Sequence, residues 1–435
     1  MKRNQTITLF IGVSLFLLVA SILYSLFRDQ DPYNYFTGLG SELSISPDDE
    51  KFAFSYFLDG NEAIYTSKID GTEVTKISKE NEGRFHAPRF SFDGKQLLFL
   101  SENNEGIQSL MIMNADGSNS ERLTEENQHV SDAVFAPNGE TVYYIAMPAE
   151  DVKKAEGETK EGLDLYTVEI NGSGGKQLTD KDHFTMDDLS ISNDGEELFY
   201  RLYDGNKEQI YSFSLIDNKE AKSEVAAEIS GDMYSAILSH DKKRIAYTAI
   251  SEGSKNSSLF EYELYIKDME KNETKRLTNF KMNIESPVFF HHSKKIAFLH
   301  YQNWPSNPEK YQVMTVSVDG EKPVLIDVNL PDSEEHQWFM KTVDFILSEA
   351  SIAVYYVLLL GGITVYLRRI SGRVFLPALI SLSLAVLVCI SSFIVAAMTD
   401  PWLGIGLVMV AMTIFLCSIL LLLFAFVVKR IVKPL

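Results

Sequence analysis

The chain has 435 residues, a net charge of −20 at pH 7 and only two cysteines. Its charge is unevenly divided, since residues 29–348 carry 58 of the 60 acidic residues and 31 of the 40 Lys and Arg, a net charge of −27. Such an acidic body argues against nucleic-acid binding, which requires cations that displace phosphate counterions. Cys389 and Cys417 lie outside this body, so disulfides, cysteine zinc sites and a cysteine nucleophile are excluded from it.

Four uncharged apolar runs are long enough to cross a bilayer as helices, which takes roughly 20 residues. They are residues 4–27, 350–367, 374–399 and 401–428. We therefore predict an N-terminal transmembrane anchor in residues 1–28 and a three-helix transmembrane region in residues 350–435. The alternative for the first run is a cleaved signal peptide, although Leu18 makes Ala20 and Ser21 a poor cleavage site.

The charges that flank these runs predict one orientation. Cytoplasmic segments next to transmembrane helices are rich in Lys and Arg. Eight cations lie next to the ends of the runs that would share one side of the membrane, and no acidic residue lies among them. They are Lys2, Arg3, Arg368, Arg369, Arg373, Lys429, Arg430 and Lys433. The acidic body, Glu349 and Asp400 fall on the other side. The sequence thus predicts a multi-pass membrane protein with cytoplasmic termini and an extracytoplasmic body.

The C-terminal helices form either a transporter core or a simpler element, an anchor or a partner-docking surface. Ion-coupled transport usually needs ionisable groups near mid-membrane. The runs contain no Asp, Glu, Lys, Arg or His, since Asp400 separates the last two at an edge. This composition favours an anchor or a partner-docking surface.

One pattern recurs six times in the body: apolar residues, a polar turn, then an alternating apolar strand. The copies are SISPDDEKFAFSY, RFSFDGKQLLFLS, VFAPNGETVYYIA, SISNDGEELFYRL, ILSHDKKRIAYTA and VFFHHSKKIAFLH, 45 to 56 residues apart. Asp93-Gly94, Asn138-Gly139 and Asp194-Gly195 are typical of two-residue hairpin turns, which need positive φ angles.

A second hairpin follows most copies, as in LMIMNADGSNSERLT from Leu110. Two hairpins per repeat make four strands, and four short strands every 45 to 56 residues predict a propeller blade. A β-sandwich also spaces short strands evenly, but it does not require the same turn at the same offset six times. We predict an all-β six-bladed propeller in residues 33–330, joined to α-helical transmembrane segments.

The S-P-D-D, F-D-G-K, P-N-G-E and N-D-G-E turns, each with a downstream D-G…L-T hairpin, resemble the TolB-type (WD40-like) propeller repeat. The resemblance covers residues 38–326 and implies six blades and an extracytoplasmic location. The last two turns depart from it because they lack glycine. A similar repeat occurs in prolyl-oligopeptidase-like enzymes, whose hydrolase domain carries a G-x-S-x-G sequence that this chain lacks.

The residues that enter the first strand of each blade are expected to ring one mouth of the channel. One aligned column contains Glu42, Ala87, Asp132, Asp188, Ser235 and Ser286, and its neighbour contains Ser41, His86, Ser131, Asp187, Tyr234 and Glu285. The candidate ligand-binding residues are Glu42, His86, Asp132, Asp187, Asp188, Tyr234 and Glu285, whose acids would attract a cation or a basic peptide. The alternative is that they belong to solvated loops between blades.

Longer loops join the second and third strands of the later blades and form a candidate partner surface. Residues 147–162 are highly charged and expected to be mobile. Trp304, in QNWPSNPEK, is the candidate contact residue. Residues 331–349 predict an amphipathic juxtamembrane helix that Ser333 caps, with Trp338 suited to a membrane interface and the whole forming a stiff joint.

Three functions compete on this evidence. The first is a binding or scaffold module for a protein, peptide or envelope ligand. The second is a subunit of a membrane transport or signalling complex, and the third is a hydrolase or lyase with an active site in the channel. The histidines lack metal-ligand spacing, so we expect no metal and no cofactor, and we favour the non-enzymatic first hypothesis.

Overall fold

The structure is a computed structural model that describes residues 2–28, 31–79, 83–154, 158–203, 205, 207–223, 229, 233–239, 241, 243–333 and 338–432. The chain divides into two compact units. Pro32–Glu334 forms one, and Met1–Asp31 together with Glu335–Leu435 forms the other.

The first unit consists of six antiparallel sheets, each built from four consecutive strands. Blades 1 to 3 contain β1 (Gly38–Ile45), β2 (Lys51–Leu58), β3 (Asn61–Lys68), β4 (Thr75–Lys76), β5 (Arg84–Phe90), β6 (Gln96–Glu102), β7 (Gln108–Asn114), β8 (Glu121–Arg122), β9 (Gln128–Phe135), β10 (Thr141–Pro148), β11 (Asp164–Glu169) and β12 (Lys176–Gln177). Blades 4 to 6 contain β13 (Asp187–Ile191), β14 (Glu197–Tyr203), β15 (Glu208–Ser214), β16 (Lys219–Lys222), β17 (Tyr234–Leu238), β18 (Arg244–Ile250), β19 (Tyr262–Asp268), β20 (Glu273–Arg276), β21 (Asn283–Phe289), β22 (Lys295–Tyr301), β23 (Tyr311–Ser317) and β24 (Val324–Leu325). The predicted six-bladed propeller is confirmed.

The repeated turn joins the first two strands of each blade, and it is wider than predicted. The backbone pairs that close it, such as Ser91 with Gln96, enclose four residues rather than two. The side chains explain the extra width: the Ser91 hydroxyl donates to Asp93 at 2.8 Å and accepts the Gln96 N–H at 3.0 Å. Gly94 has a φ of 70°, a value that favours glycine. The prediction of a two-residue turn was therefore wrong, because side-chain bonds close a longer loop.

The threonine of the second hairpin also has a local structural role. In blade 2, the Thr124 hydroxyl accepts the N–H of Leu110, 14 residues earlier, at 3.1 Å. Thr179 and Thr278 accept the equivalent N–H groups in blades 3 and 5, and a serine does so in blade 1. The short outer strand leaves these N–H groups without a ladder partner, and the hydroxyl supplies one.

Six apolar clusters hold the ring together, one between each pair of neighbouring blades. The cluster between blades 1 and 2 packs Ala53 and Ile64 against Phe85 and Phe99. Each blade is apolar on both faces, which is why its second strand is buried over six consecutive residues in blade 1. Burying one such large side chain contributes roughly 1.5–3 kcal/mol.

Blade 6 closes the ring against blade 1 by the same kind of packing, because each blade has its own complete sheet. Phe52, Phe54 and Leu43 of blade 1 pack against Phe290 and Leu299 of blade 6. The closure therefore depends on side-chain contacts rather than on a strand shared between the first and last blades.

Asp49 adds a polar bond to this closure. It occupies the glycine position of the blade 1 turn, with a φ of 59°. Its carboxylate accepts the backbone N–H groups of His291, His292 and Ser293 in the blade 6 turn at 2.7, 2.8 and 3.1 Å. Burial alone would raise the pKa of Asp49, but these donors outweigh it and lower the pKa. The glycine-free turn of blade 6 thus uses an aspartate from its neighbour.

The second unit consists of α1 (Lys2–Phe27), α3 (Trp338–Ile346), α4 (Glu349–Ile370), α5 (Leu376–Met398) and α6 (Pro401–Ile431). The short α2 (Ala149–Val152) belongs to the propeller. Apart from α3, the helices of the second unit are long and apolar enough to cross a membrane. Residues 334–337 lie outside the described residues, and with them the predicted first turn after Ser333.

Small and hydroxyl-bearing residues pack these helices closely. A Cβ on Gly362 of α4 would lie 3.0 Å from Ile11 of α1. Ser381 of α5 shares a hydrogen bond of 2.7 Å with Ser418 of α6 and accepts another from Tyr356 of α4. Such contacts are typical of membrane helices, where apolar side chains gain little by leaving lipid.

Replacing Asp49 by Gly is expected to lower the free energy of unfolding by about 1–3 kcal/mol. Glycine suits the positive φ, so the loss reports on the carboxylate itself: its three backbone hydrogen bonds and its contact with the His291 ring at 3.4 Å. Chemical denaturation of the full chain in detergent, followed by near-UV circular dichroism, measures it. Asn119→Gly is the matched control, because Asn119 also has a positive φ (54°) on an exposed turn. Equal stability of the two variants would contradict the role of Asp49 in closure.

Candidate functional site

The candidate site residues lie at β-bulges in the first strands of the blades. The pairing of the first two strands shifts register in all six blades, for example between His86 and Arg89 in blade 2. Ala87, Asp188, Ser235 and Ser286 have positive φ angles there, between 44° and 55°. A bulge redirects side chains away from the regular alternation, and here it turns part of each strand towards the ring centre.

The first strands of all six blades enclose a central cavity of about 220 Å³, which we call the acidic cavity. Its lining includes Glu42, Asp132, Asp187 and Asp188, together with Arg89. A second cavity of about 180 Å³ continues from it along the same strands towards the turns. Four carboxylates outnumber the guanidinium groups of Arg89 in the lining and of Arg201 behind it, so the acidic cavity favours cations.

The predicted residues fall into two groups. Glu42, Asp132, Asp187 and Asp188 line the acidic cavity, whereas His86, Tyr234 and Glu285 do not.

Asp132 and Asp188 line the cavity and also accept hydrogen bonds from a neighbouring blade. Asp132 of blade 3 accepts the N–H of Leu189 in blade 4 at 2.7 Å, and Arg89 of blade 2 donates to it at 3.1 Å. Asp188 of blade 4 accepts the N–H of Ala236 in blade 5 at 3.1 Å. These two carboxylates therefore contribute to the stability of the ring, and their removal would confuse binding with folding.

Glu42 and Asp187 are the carboxylates with capacity left for a ligand. Among the described residues, Glu42 has no hydrogen-bond partner, and its burial raises its pKa to about 7. Asp187 bonds to Arg201 at 2.5 Å through one oxygen, while its other oxygen has no partner in the described part of the chain. Burial and the neighbouring Asp188 raise the pKa of Asp187, and Arg201 opposes them. Ser131, which also lines the cavity, has a buried hydroxyl without a described partner.

The remaining predicted residues make contacts outside the cavity. The ring of His86 is largely buried, and this burial lowers its pKa to about 4. Glu285 accepts hydrogen bonds from Tyr311 at 2.5 Å and Asn283 at 2.6 Å. Tyr234 lies beside Arg201, whose guanidinium carbon is 5.8 Å from the ring centroid.

Trp304 packs inside its own loop region. Its indole N–H donates to the carbonyl of Phe260 at 2.9 Å, and its ring lies edge-on to Tyr262 and Tyr301. It is half-buried and joins the long loops of blades 5 and 6.

The long loop of blade 3 has internal structure. In loop 147–162, Asp151 is buried and accepts the N–H of Lys160 at 3.0 Å, which ties the two ends of the loop together. Residues 155–157 lie outside the described residues. The described part contains α2 and this internal hydrogen bond, and the mobility of the loop stays a prediction.

Sequence reasoning missed the basic and acidic residues behind the cavity wall. Arg201 pairs with Asp187, Asp188 and Glu208 at 2.5, 2.9 and 3.1 Å. It interrupts the apolar strand ELFYRLY, and a charge inside such a strand requires partners. That interruption of the apolar pattern was the feature of the sequence that could have identified Arg201.

Glu62 is a second missed residue, buried on β3 of blade 1. Ser55 donates to it at 2.7 Å. A Cβ on Gly40 would lie 2.0 Å from that hydroxyl, so the glycine provides the space for this pair. Burial, with the nearby Glu42 and Glu102, raises the pKa of Glu62 to about 8.

The first half of the propeller resembles a known protein family. Residues 28–162, which contain β1 to β10, match the family model of the TolB beta propeller domain. The chain carries a TolB-type β-propeller. This identification agrees with the six four-stranded blades and the repeated turns. No curated protein matches the chain.

Solved structures are similar to the TolB-type propeller at low identity. TolB from Acinetobacter baumannii has a TM-score of 0.50 and 14% identity over 69% of this chain, which spans 65% of that protein. A putative TolB from Agrobacterium tumefaciens has a TM-score of 0.43 and 13% identity, covering 55% of this chain and 80% of that one. Oligogalacturonate lyase from Vibrio parahaemolyticus has a TM-score of 0.46 and 11% identity, covering 68% and 97%. At such identities the likeness shows the fold alone.

Replacing Glu62 by Gln is expected to stabilise the propeller by a few kcal/mol above pH 8 and to change little near pH 4. The raised pKa means that the folded protein retains a proton that the unfolded chain releases. The stability from the protonated form is therefore complete below about pH 4.5 and is lost as the pH rises through 8. Glutamine is always neutral and keeps an oxygen for Ser55.

Urea unfolding of the full chain in detergent across this pH range tests the expectation. Glu121→Gln, on the exposed outer strand of blade 2, controls for the change in net charge. Parallel pH profiles for the wild type and Glu62→Gln would contradict it.

Proposed function

We propose that this chain is a membrane-anchored binding module that presents its TolB-type propeller outside the cytoplasm and recognises a protein, peptide or envelope component at the acidic cavity. The observation that carries the proposal is the cavity itself, to which all six blades contribute inward-facing groups. Glu42, Asp187 and Ser131 leave polar atoms there without partners in the described part of the chain. A ligand would satisfy buried groups of this kind.

The charge of the cavity supports a cationic group as the part of the ligand that enters it. Two guanidinium groups offset only part of the charge of the four carboxylates, since Arg89 pairs with Asp132 and Arg201 pairs with Asp187 and Asp188. A volume of about 220 Å³ accommodates one long side chain, such as that of Lys or Arg, better than a folded surface. The ligand would therefore insert a basic side chain and cover the mouth with its remaining surface.

The helices support a permanent anchor. Four helices of sufficient length and apolarity flank the propeller in the sequence, one before it and three after it. The cations at Arg368, Arg369 and Lys429 lie at ends of α4 and α6, as cytoplasmic ends require under the positive-inside rule. Under this proposed topology the propeller lies outside the cytoplasm.

A second candidate function is a subunit of a membrane transport or signalling complex. An apolar groove of about 470 Å³ runs between α1, α4 and α6, past Gly361, Gly362 and Phe424. A partner helix would fit such a groove of small residues. Exchanging α4 to α6 for unrelated spanning helices would abolish function if this candidate is correct, and preserve it if the propeller alone binds.

Cysteine accessibility tests the proposed topology. In a background with Cys389→Ala and Cys417→Ala, Glu321→Cys places a thiol on an exposed propeller turn and Ser371→Cys places one between α4 and α5. A membrane-impermeant maleimide is expected to label the first in intact cells and the second only after permeabilisation. The reverse pattern would show that the propeller is cytoplasmic.

Photocrosslinking tests the proposed site. A photoreactive residue at Ser131 is expected to give a discrete adduct in intact cells, whereas one at Glu273 on the exposed outer strand of blade 5 is not. Glu42→Gln with Asp187→Asn should reduce the adduct several-fold, because the cavity then loses its available carboxylates. Glu121→Gln with Asp70→Asn makes the same change in net charge at exposed positions and should leave it intact. Undiminished crosslinking in the cavity variant would show that the acidic cavity is not the site.

A further inference from the structure

The short helix α3 belongs to the second unit, the helical unit formed by α1 and α3 to α6. Its apolar side chains point outwards from this unit. Over Trp338–Ile346, none of its described residues is buried. Trp338, Phe339 and Phe345 are 67%, 61% and 80% exposed. At 100° per residue these three share one side with Val343 and Ile346, whereas Lys341 and Asp344 lie on the opposite side. This helix of about 14 Å thus carries an aromatic and aliphatic face, interrupted only by Thr342 along its described length, and none of its described side chains is buried.

Asp344, on the polar side of α3, ties the helix to the end of α1. Arg28 donates to its carboxylate at 2.5 Å, and the hydroxyl of Tyr24 donates to its other oxygen. The side chain of Asp344 is only 17% exposed, and that of Arg28 is 30% exposed. Charge-assisted bonds with two donors fix the rotation of the helix about its axis.

The connection to α4 fixes the other end of α3. The Tyr355 hydroxyl of α4 donates to the carbonyl of Ile346 at 2.9 Å, which satisfies a terminal carbonyl of α3. Ser348 caps the start of α4 through the N–H of Ser351. The bend between the two helices is therefore held by hydrogen bonds at both sides.

These contacts place α3 at one end of the membrane-spanning helices. Ser25, in the last turn of α1, donates to Glu349, the first residue of α4, at 3.3 Å. Both helices are long and apolar enough to span, so this level marks where the apolar layer ends. Asp344 contacts the same last turn of α1, and tryptophan side chains favour this depth.

We propose that α3 lies in the lipid–water interface, with its aromatic face in the phospholipid layer, and that Asp344 is the positioning residue that holds it there through Tyr24 and Arg28. The lipid surface is the partner that continues from the apolar surfaces of the spanning helices onto α3. The proposal concerns the helical unit alone and is independent of what the propeller binds.

Depth-dependent fluorescence quenching tests the proposal in the full chain reconstituted into phosphatidylcholine vesicles. The chain has three tryptophans, so Trp304→Phe with Trp402→Phe leaves Trp338 as the only one. Lipids brominated near the headgroup are expected to quench Trp338 more than lipids brominated near the chain ends, and aqueous iodide should quench it weakly. Strong quenching by iodide without quenching by bromolipid would overturn the proposal. So would resistance to both reagents, since a protein surface would then cover the face.

Four variants separate positioning from folding. Asp344→Ala should lower the ratio of shallow to deep bromolipid quenching, and Asp344→Glu should restore it, whereas Lys341→Ala, on the same polar side, should leave it unchanged. Phe345→Glu alters an outward-facing residue and should increase quenching by iodide several-fold. If Asp344→Ala and Lys341→Ala give the same ratio as the wild-type helix, Asp344 does not position α3.

Discussion

The closed ring depends on the burial of both faces of every blade. A single four-stranded sheet that is apolar on both sides cannot be stable in water, and each blade becomes stable only between two others. Because blade 1 and blade 6 are each complete sheets, the final junction has to form from side chains. Phe52 and Phe54 pack against the last blade, and Asp49 bonds to its turn. The central channel and the acidic cavity within it therefore depend on this junction.

This construction explains why carboxylates occur at the centre of the ring. Neighbouring first strands converge there and cannot pair with one another along their length, so backbone N–H groups at the bulges need other acceptors. Asp132 and Asp188 supply them across blade boundaries. Once acidic residues occupy this position for structural reasons, the cavity acquires a negative potential. Under the proposed function, Glu42 and Asp187 supply the carboxylates that a cationic group would contact.

Different interactions stabilise the helical unit. Its long helices pack through glycine, serine and alanine, since apolar contact in lipid gives little driving force by itself. The charged residues concentrate at the ends, where Arg28 and Asp344 pair near one boundary and Arg368 donates to the carbonyl of Val432 near the other. Polar bonds at the ends and close packing between them are both consistent with a permanent anchor.

The amino-acid sequence determined the number of blades, the order of the strands and the membrane segments. These features follow from local patterns: alternation with period two, the polar turn repeated at one offset in each copy, and uninterrupted apolar runs of spanning length. The resemblance to the TolB-type repeat rested on the same residues. The sequence also predicted that Glu42, Asp132, Asp187 and Asp188 lie close together, and they line one cavity. Aligned positions in repeated blades occupy equivalent places around a ring, so their proximity could be predicted.

Only the tertiary structure decided which of those residues are available to a ligand. The register shift at each bulge breaks the simple alternation, so alignment alone did not separate the residues that line the cavity from His86, Tyr234 and Glu285, which do not. The partners of Arg89, Arg201 and Asp49 lie on other strands or other blades, up to 244 residues away for Asp49. Contacts of that kind arise when the ring closes, and no local pattern encodes them, because the distance between two side chains in space is set by the packing of whole sheets.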